Sequence, residues 1–346
     1  MKRTESTKNQ SNKRPRRSLR IGQQQFGPFW TENTDDDAPT VSLTVSNMSS
    51  VDRLTNLPEL VVDHQLISFM GIVEVAMMRE VNRYFEPFWR RRFVDHNLLP
   101  ICIPYDFPTM ETAMRAIEIL SKEYTKASPL VVELDKGEHQ ILSRWLPPGI
   151  IRAGNGANNL GIKCNNITIV GKGIGETTIL GGIGSHNKKN ITLKHLSLTN
   201  PIGNGIQLFG AEVELVNVNV YDCRFSGLDI ESLDSGPSKL VAKQCEISNN
   251  GTGVFSNIDN GSAYNNSCLT DCVIHSNKGN GISANGTGEI NLFGGSTAIH
   301  SNGDNGIYAK NSCKVLLHLP SHHNTSYNNE ARDRKTSSGG TITNVE

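Results

Sequence analysis

Five glycine-apolar pairs constrain this chain more than any other feature: Gly205-Ile206, Gly227-Leu228, Gly253-Val254, Gly281-Ile282 and Gly306-Ile307 recur at intervals of 22, 26, 28 and 25 residues. A unit repeating at that length points to a solenoid, because one such unit cannot bury its apolar face without a neighbour stacked on it. A second register runs in phase with the first. Ile247-Ser248-Asn249-Asn250, Ile274-His275-Ser276-Asn277 and Ile299-His300-Ser301-Asn302 each precede one of the glycines. Stacking therefore predicts Ile247, Ile274 and Ile299 one above another inside. Asn250, Asn277 and Asn302 form an asparagine ladder at the turn, and Cys245, Cys272 and Thr297 make an inward column of small side chains.

Of the 32 glycines, 26 lie between Gly149 and Gly306, among short β-branched runs such as Ile167-Thr168-Ile169-Val170. That is the chemistry of strands joined by turns, with no helical period inside the repeat, and it favours a parallel β-helix over a leucine-rich horseshoe or a propeller. From Leu130 to about residue 330, roughly eight coils at about 4.8 Å each make a stack near 40 Å long. Met110, Ala113, Met114, Ala116, Ile117 and Leu120 mark an amphipathic helix over 109–124, placed to cover the first coil within a linker of residues 100–129. Residues 331–346 are polar and are expected to form a flexible tail.

The N-terminal third has a different texture. Residues 1–50 lack a sustained apolar period, so a disordered tail is expected there. Residues 1–20 carry eight basic side chains against one Glu, and Lys13-Arg14-Pro15-Arg16-Arg17 has the composition of a nuclear-import signal. With no apolar signal sequence, no membrane-length run and seven cysteines without a CxxC pair, the chain is expected inside the cell, in nucleus or cytoplasm and off the membrane. Residues 130–330 carry 14 basic and 16 acidic side chains, which argues against a nucleic-acid groove along the repeat. Residues 51–99 switch to apolar residues at helical spacing and predict two or three short helices, a unit of about 45 residues that gains from docking on a partner.

Two resemblances follow from these residues. The repeat, with its opening helix, Val131-Val132, Gly137-Glu138-His139 and Ile167 to Gly173, resembles the right-handed parallel β-helix of pectin-lyase-like proteins, a fold that carries enzymes, carbohydrate binders and protein binders alike. The helical unit resembles an F-box through Leu57-Pro58-Glu59, Leu66-Ile67-Ser68-Phe69-Met70, Glu74-Val75-Ala76 and Val81-Asn82-Arg83-Tyr84-Phe85, although Gly71-Ile72 replace the usual Asp-Pro and Arg79 and Glu80 sit where small or apolar residues are common. The combination is similar to ubiquitin-ligase substrate receptors in which the β-helix presents the recognition surface. It implies an Skp1-like adaptor and a cullin ligase core as partners and an unnamed substrate protein. It also implies that Leu57, Pro58, Leu66, Ile67, Phe69 and Val81 face the adaptor. The competing reading makes these residues the core of a cap on the β-helix.

An enzyme or carbohydrate-binding β-helix is the alternative function. Hydrolases of this fold pair carboxylates across a groove. Asn33-Thr34-Asp35 matches one of their motifs in letters only, because it lies in the polar tail before any strand. Asp229 and Glu231 are the nearest acid pair, read as a solvated face and a candidate recognition surface. His275 and His300 occupy equivalent places in adjacent rungs and belong to the same candidate surface, with His318, His322 and His323 one coil further on. Two equivalent histidines fall short of a metal site, and Cys268 and Cys272 read as one turn thiol and one core thiol. No catalytic residue, metal or cofactor is assigned.

Overall fold

A computed structural model describes residues 100–120, 123–146, 158–232, 236–258, 266–318 and 325–346. The tail of 1–50 and the helical unit of 51–99, with Leu57, Pro58, Leu66, Ile67, Phe69 and Val81, lie outside the described residues, as do His322 and His323.

The chain enters through β1 (Ile101–Ile103) and α1 (Met110–Leu120). The strands then pass repeatedly over three faces: β2 (Leu130–Leu134), β3 (Gly137–Gln140) and β4 (Asn159–Gly161), then β5 (Ile167–Val170), β6 (Thr177–Leu180) and β7 (Gly182–His186). In the next two coils one long strand covers two faces: β8 (Ile191–Thr199) with β9 (Ile206–Phe209), and β10 (Glu212–Tyr221) with β11 (Ser226–Ser232). The later coils are β12 (Lys239–Lys243), β13 (Glu246–Ser248) and β14 (Thr252–Ile258), then β15 (Asn266–Thr270), β16 (Val273–His275) and β17 (Ile282–Gly286). They are followed by β18 (Glu289–Phe293), β19 (Ala298–His300) and β20 (Asn305–Lys310). After β21 (Lys314–His318), β22 (Ser326–Tyr327) and β23 (Arg332–Ser337), β24 (Thr341–Val345) opens a last pass.

Every pairing between these strands is parallel. One ladder runs β1-β2-β5-β8-β10-β12-β15-β18-β21-β24, a second takes β13-β16-β19-β22 beside it, and a third runs from β4 to β23. We call these faces one, two and three. The architecture is a right-handed parallel β-helix, mainly β with one described helix.

Alternation along each strand fills the interior. Ile247, Ile274 and Ile299 are fully buried in one column, and Cys245, Cys272 and Thr297 form the neighbouring column of small groups. Each fully buried Ile or Leu contributes about 1.5–3 kcal/mol relative to exposure, so the repeated aliphatic columns carry the fold.

The glycine period has a different cause from turn flexibility. None of Gly205, Gly227, Gly253, Gly281 and Gly306 has a positive φ. A Cβ on Gly253 would lie 2.5 Å from the Gly281 carbonyl oxygen and 2.9 Å from the Asn277 amide, so the glycine is needed where face three starts against the asparagine ladder. Left-handed residues do the turning instead: His195, Asn217, Gln244 and Asp271 at the bend from face one to face two, and Asn249, Ser276, Ser301 and Asn328 at the corner after face two.

The ladder forms as the spacing predicts and runs further. The Nδ2 of Asn250, Asn277 and Asn302 donates to the Oδ1 of Asn277, Asn302 and Asn329 at 3.1, 2.9 and 2.8 Å. Asp333 ends it by accepting from Asn329 at 2.9 Å.

The structure corrects three expectations. Residues 331–346 are not a loose tail within the described residues: β23 and β24 pair in register with β20 and β21. Their polar character reflects their position, since Arg334 takes the inward place that Ile307 holds one coil earlier and its guanidinium donates to Asn344 at 3.0 Å, on the coil that is outermost among the described residues. The linker of 100–129 contains a strand, β1, that is too short to show a period in the sequence. Cys268 sits on β15 rather than in a turn. The expected helix of 109–124 forms over Met110–Leu120 and has ended by residue 123: Thr109 Oγ1 accepts from the Thr112 backbone N–H, and Met110, Ala113, Met114, Ala116 and Ile117 pack into the core with the first coil.

Candidate functional site

Face two places its outward residues in a column where Ser248, His275, His300 and Tyr327 follow one another in register. The His275 and His300 rings stack with centroids 5.2 Å apart and planes 8° apart, and His300 stacks on Tyr327 at 5.0 Å and 18°. The sequence placed the two histidines correctly but continued the column with His318. Tyr327 takes that place, while His318 lies on face one, stacked on Phe293 at 4.1 Å and bonded to Asn291 at 2.7 Å.

Each ladder histidine is held from the side. Nδ1 of His275 meets Ser276 Oγ at 3.0 Å and Nδ1 of His300 meets Ser301 Oγ at 3.1 Å, while Nε2 of His275 lies 3.1 Å from Glu246 Oε1. Burial, and secondarily the neighbouring His275, lower the pKa of His300 below the ordinary 6.5. Because the rings face one another, their edges are what they present to solvent. The column is thus a fixed line of polar ring edges rather than a platform of open ring faces.

Asp229 and Glu231 depart from expectation. Both project from β11 on face three and are 3% and 2% exposed, so this is no solvated face. Asp229 Oδ2 accepts from Asn204 Nδ2 at 2.9 Å and from Gln207 Nε2 at 3.2 Å. Gln207 Oε1 in turn accepts from Asn159, and Asn159 Oδ1 accepts from Asn200. The result is a buried chain of amides ending on a carboxylate. Beside it, Trp145 lies over Gly161 and Gly184, where a Cβ would fall inside the indole, and meets the Phe209 ring at 6.2 Å. No local pattern signals this burial, because residues far apart in the chain build this layer.

A groove of about 410 Å³ on face one carries Lys126, Glu212, Glu214, Lys239 and Lys243. Its charges alternate, and Lys243 pairs with Glu214 at 2.8 Å. Among the described residues no group of three or more His, Cys, Asp or Glu gathers within reach of one metal ion, and no helix is long and apolar enough to cross a membrane.

One family match agrees with the fold. The family described as a right handed beta helix region matches residues 151–298. Among solved structures, ORF18 of Geobacillus virus E2 is similar at 12% identity and a TM-score of 0.40, covering 59% of this chain and 50% of that one. The chain thus spans half the length of that protein. The A-modules of the Azotobacter vinelandii mannuronan C-5 epimerases AlgE4 and AlgE6 are 14% and 11% identical, with TM-scores of 0.25 and 0.16. Those matches cover 62% and 64% of this chain and 80% and 92% of theirs. Likenesses this distant carry no functional argument. No curated protein matches the chain.

Proposed function

We propose that this chain is a non-catalytic, protein-binding adaptor, the substrate receptor of an Skp1-cullin-type ubiquitin ligase. Its β-helix would hold the substrate, and its residues 51–99 would hold an Skp1-like adaptor. The feature that carries the binding reading is the His275–His300–Tyr327 column. Its rings are stacked and braced before any partner arrives, so little ordering is left to oppose binding; with both His275 nitrogens held by Ser276 and Glu246, the edges of His300 and Tyr327 are the ones that meet a partner. The adaptor half of the reading rests on the F-box-like residues Leu57, Pro58, Leu66, Ile67, Phe69 and Val81.

The test is a titration of purified Skp1-like adaptor against the full chain and against a Leu57→Asp, Phe69→Asp variant. Saturable binding by the parent, lost in the variant while the β-helix circular-dichroism signal stays, supports the reading. Equal binding by both, or by neither, overturns it.

A further inference from the structure

The corner between faces two and three repeats a pattern that the receptor reading does not use. The residue after each ladder asparagine or its equivalent is Arg224, Gly251, Lys278, Gly303 and Glu330 in successive coils. Hydrogen bonds from Gly251 N to Cys223 O at 3.1 Å, Lys278 N to Asn250 O at 2.8 Å and Gly303 N to Asn277 O at 2.8 Å hold them in line. Arg224 and Lys278 therefore flank a coil that carries no side chain. None can be placed there, because a Cβ on Gly251 would lie 2.5 Å from the Phe225 carbonyl oxygen and 2.7 Å from that of Arg224. The backbones of the two residues stand two coils apart, about 9.6 Å at the usual strand spacing of about 4.8 Å, a span over which two long side chains can converge on one group.

A groove of about 600 Å³ opens between them, with Pro201, Asn249 and Ser276 in its wall and Asp222 as its one acid. Arg224 sits over the Phe225 ring at 5.4 Å. Phe225 is 38% exposed, and Ile202, 41% exposed, lies on the neighbouring corner, joined through the Phe225 N–H to the Gly203 carbonyl at 3.3 Å. Two cations around a gap, beside two exposed apolar side chains, suit a ligand with one compact dianion and an adjoining apolar group. Arg supplies a planar fork for such oxygens and Lys a mobile point charge. With Asp222 counted the groove is net positive by one charge, so it favours an anion, and a phosphate has oxygens enough to engage the Arg224 fork and Lys278 at once, where the two oxygens of one carboxylate are filled by the fork alone.

We propose that this groove binds a phosphorylated protein segment, the phosphate between Arg224 and Lys278 and an apolar neighbour on Phe225 and Ile202. The proposal deepens the receptor reading by naming a substrate class, and it rests on the β-helix being a protein-binding scaffold.

The test uses the full chain with three probes: a phosphoserine peptide library with randomised flanks, the same library unphosphorylated, and inorganic phosphate. The expected result is retention of the phosphorylated library alone, enriched in apolar residues beside the phosphoserine, with inorganic phosphate competing only weakly. Arg224→Gln and Lys278→Gln should each weaken binding about tenfold, the size of one charge-assisted bond. Both residues are exposed, so neither change disturbs the core. Failure of the parent to retain the phosphorylated library, or equal retention by the double variant, overturns the proposal. Adaptor titration of the parent chain separates the two readings: adaptor binding with no phosphopeptide retention refutes the groove alone, and phosphopeptide retention without adaptor binding refutes the ligase role alone.

Discussion

Replacing Asn277 by Ala tests the physical account of the β-helix at its most demanding point. The side chain is 1% exposed and makes four hydrogen bonds. Its Oδ1 accepts from the Asn250 backbone N–H at 2.9 Å and from Asn250 Nδ2 at 3.1 Å, while its Nδ2 donates to Asn302 Oδ1 at 2.9 Å and to the Ile247 carbonyl at 3.2 Å. Truncation does not orphan every partner. Asn250 Nδ2 keeps Val220 O, and Asn302 Oδ1 keeps the Asn277 N–H. The Asn250 N–H loses its acceptor inside the protein, which costs about 1–3 kcal/mol, and the three other lost bonds add about 1 kcal/mol each, so a total near 4–6 kcal/mol is expected. Against a usual stability of about 5–15 kcal/mol that is a large fraction.

Urea unfolding followed by circular dichroism reads the change as a lower midpoint at unchanged slope. Asn311→Gly, exposed, with its side chain bonded to Asn285 Oδ1 and a φ of 54° that glycine adopts freely, is the control and should change stability by about 0.5 kcal/mol or less. Asn277→Asp keeps both accepted bonds but aims a carboxylate oxygen at two acceptors, so its loss should shrink as the pH falls and that oxygen takes up a proton. An Asn277→Ala protein within about 1 kcal/mol of the parent would refute the reasoning, since an unpaired buried N–H cannot be that cheap.

Three further outcomes are expected. Gly253→Ala should destabilise by about 1–3 kcal/mol in the same urea assay, because its Cβ meets the Gly281 carbonyl oxygen of the next coil. The lowered pKa of His300 means that the unfolded chain binds its proton first; the stabilising contribution is complete above about 6.5 and is lost as the pH falls through the folded value, so His300→Gln should flatten the midpoint-against-pH curve below 6.5. Burial pushes the Cys223 and Cys313 thiols up to about 12, and Cys245 and Cys272 are also buried. Native alkylation read by mass spectrometry should therefore modify the partly exposed Cys102 and Cys268 first and reach these four only on unfolding.

What could be read from the sequence was whatever repeats in kind. Ile247, Ile274 and Ile299, the three asparagines and the paired histidines recur with the same side chain at the same place, so chemistry and position coincide. The bend from face one to face two repeats equally well in space, but as His195, Asn217, Gln244 and Asp271, whose common property is a positive φ rather than a side chain. Asn329 and Asp333 extend the ladder without the preceding isoleucine that marks its other members. Arg334 hides an inward position because Asn344 supplies a partner for its guanidinium there. The burial of Asp229 was unreadable for another reason: Asn204, Gln207 and the amides behind them come from different coils, and only the stacking brings them together.

The receptor reading is tested most directly by affinity capture of the full chain and of a chain lacking residues 51–99, read by mass spectrometry for Skp1-like and cullin subunits. Recovery of both subunits with the full chain and of neither with the shortened one is the predicted result. Recovery with neither chain, or equally with both, would contradict it.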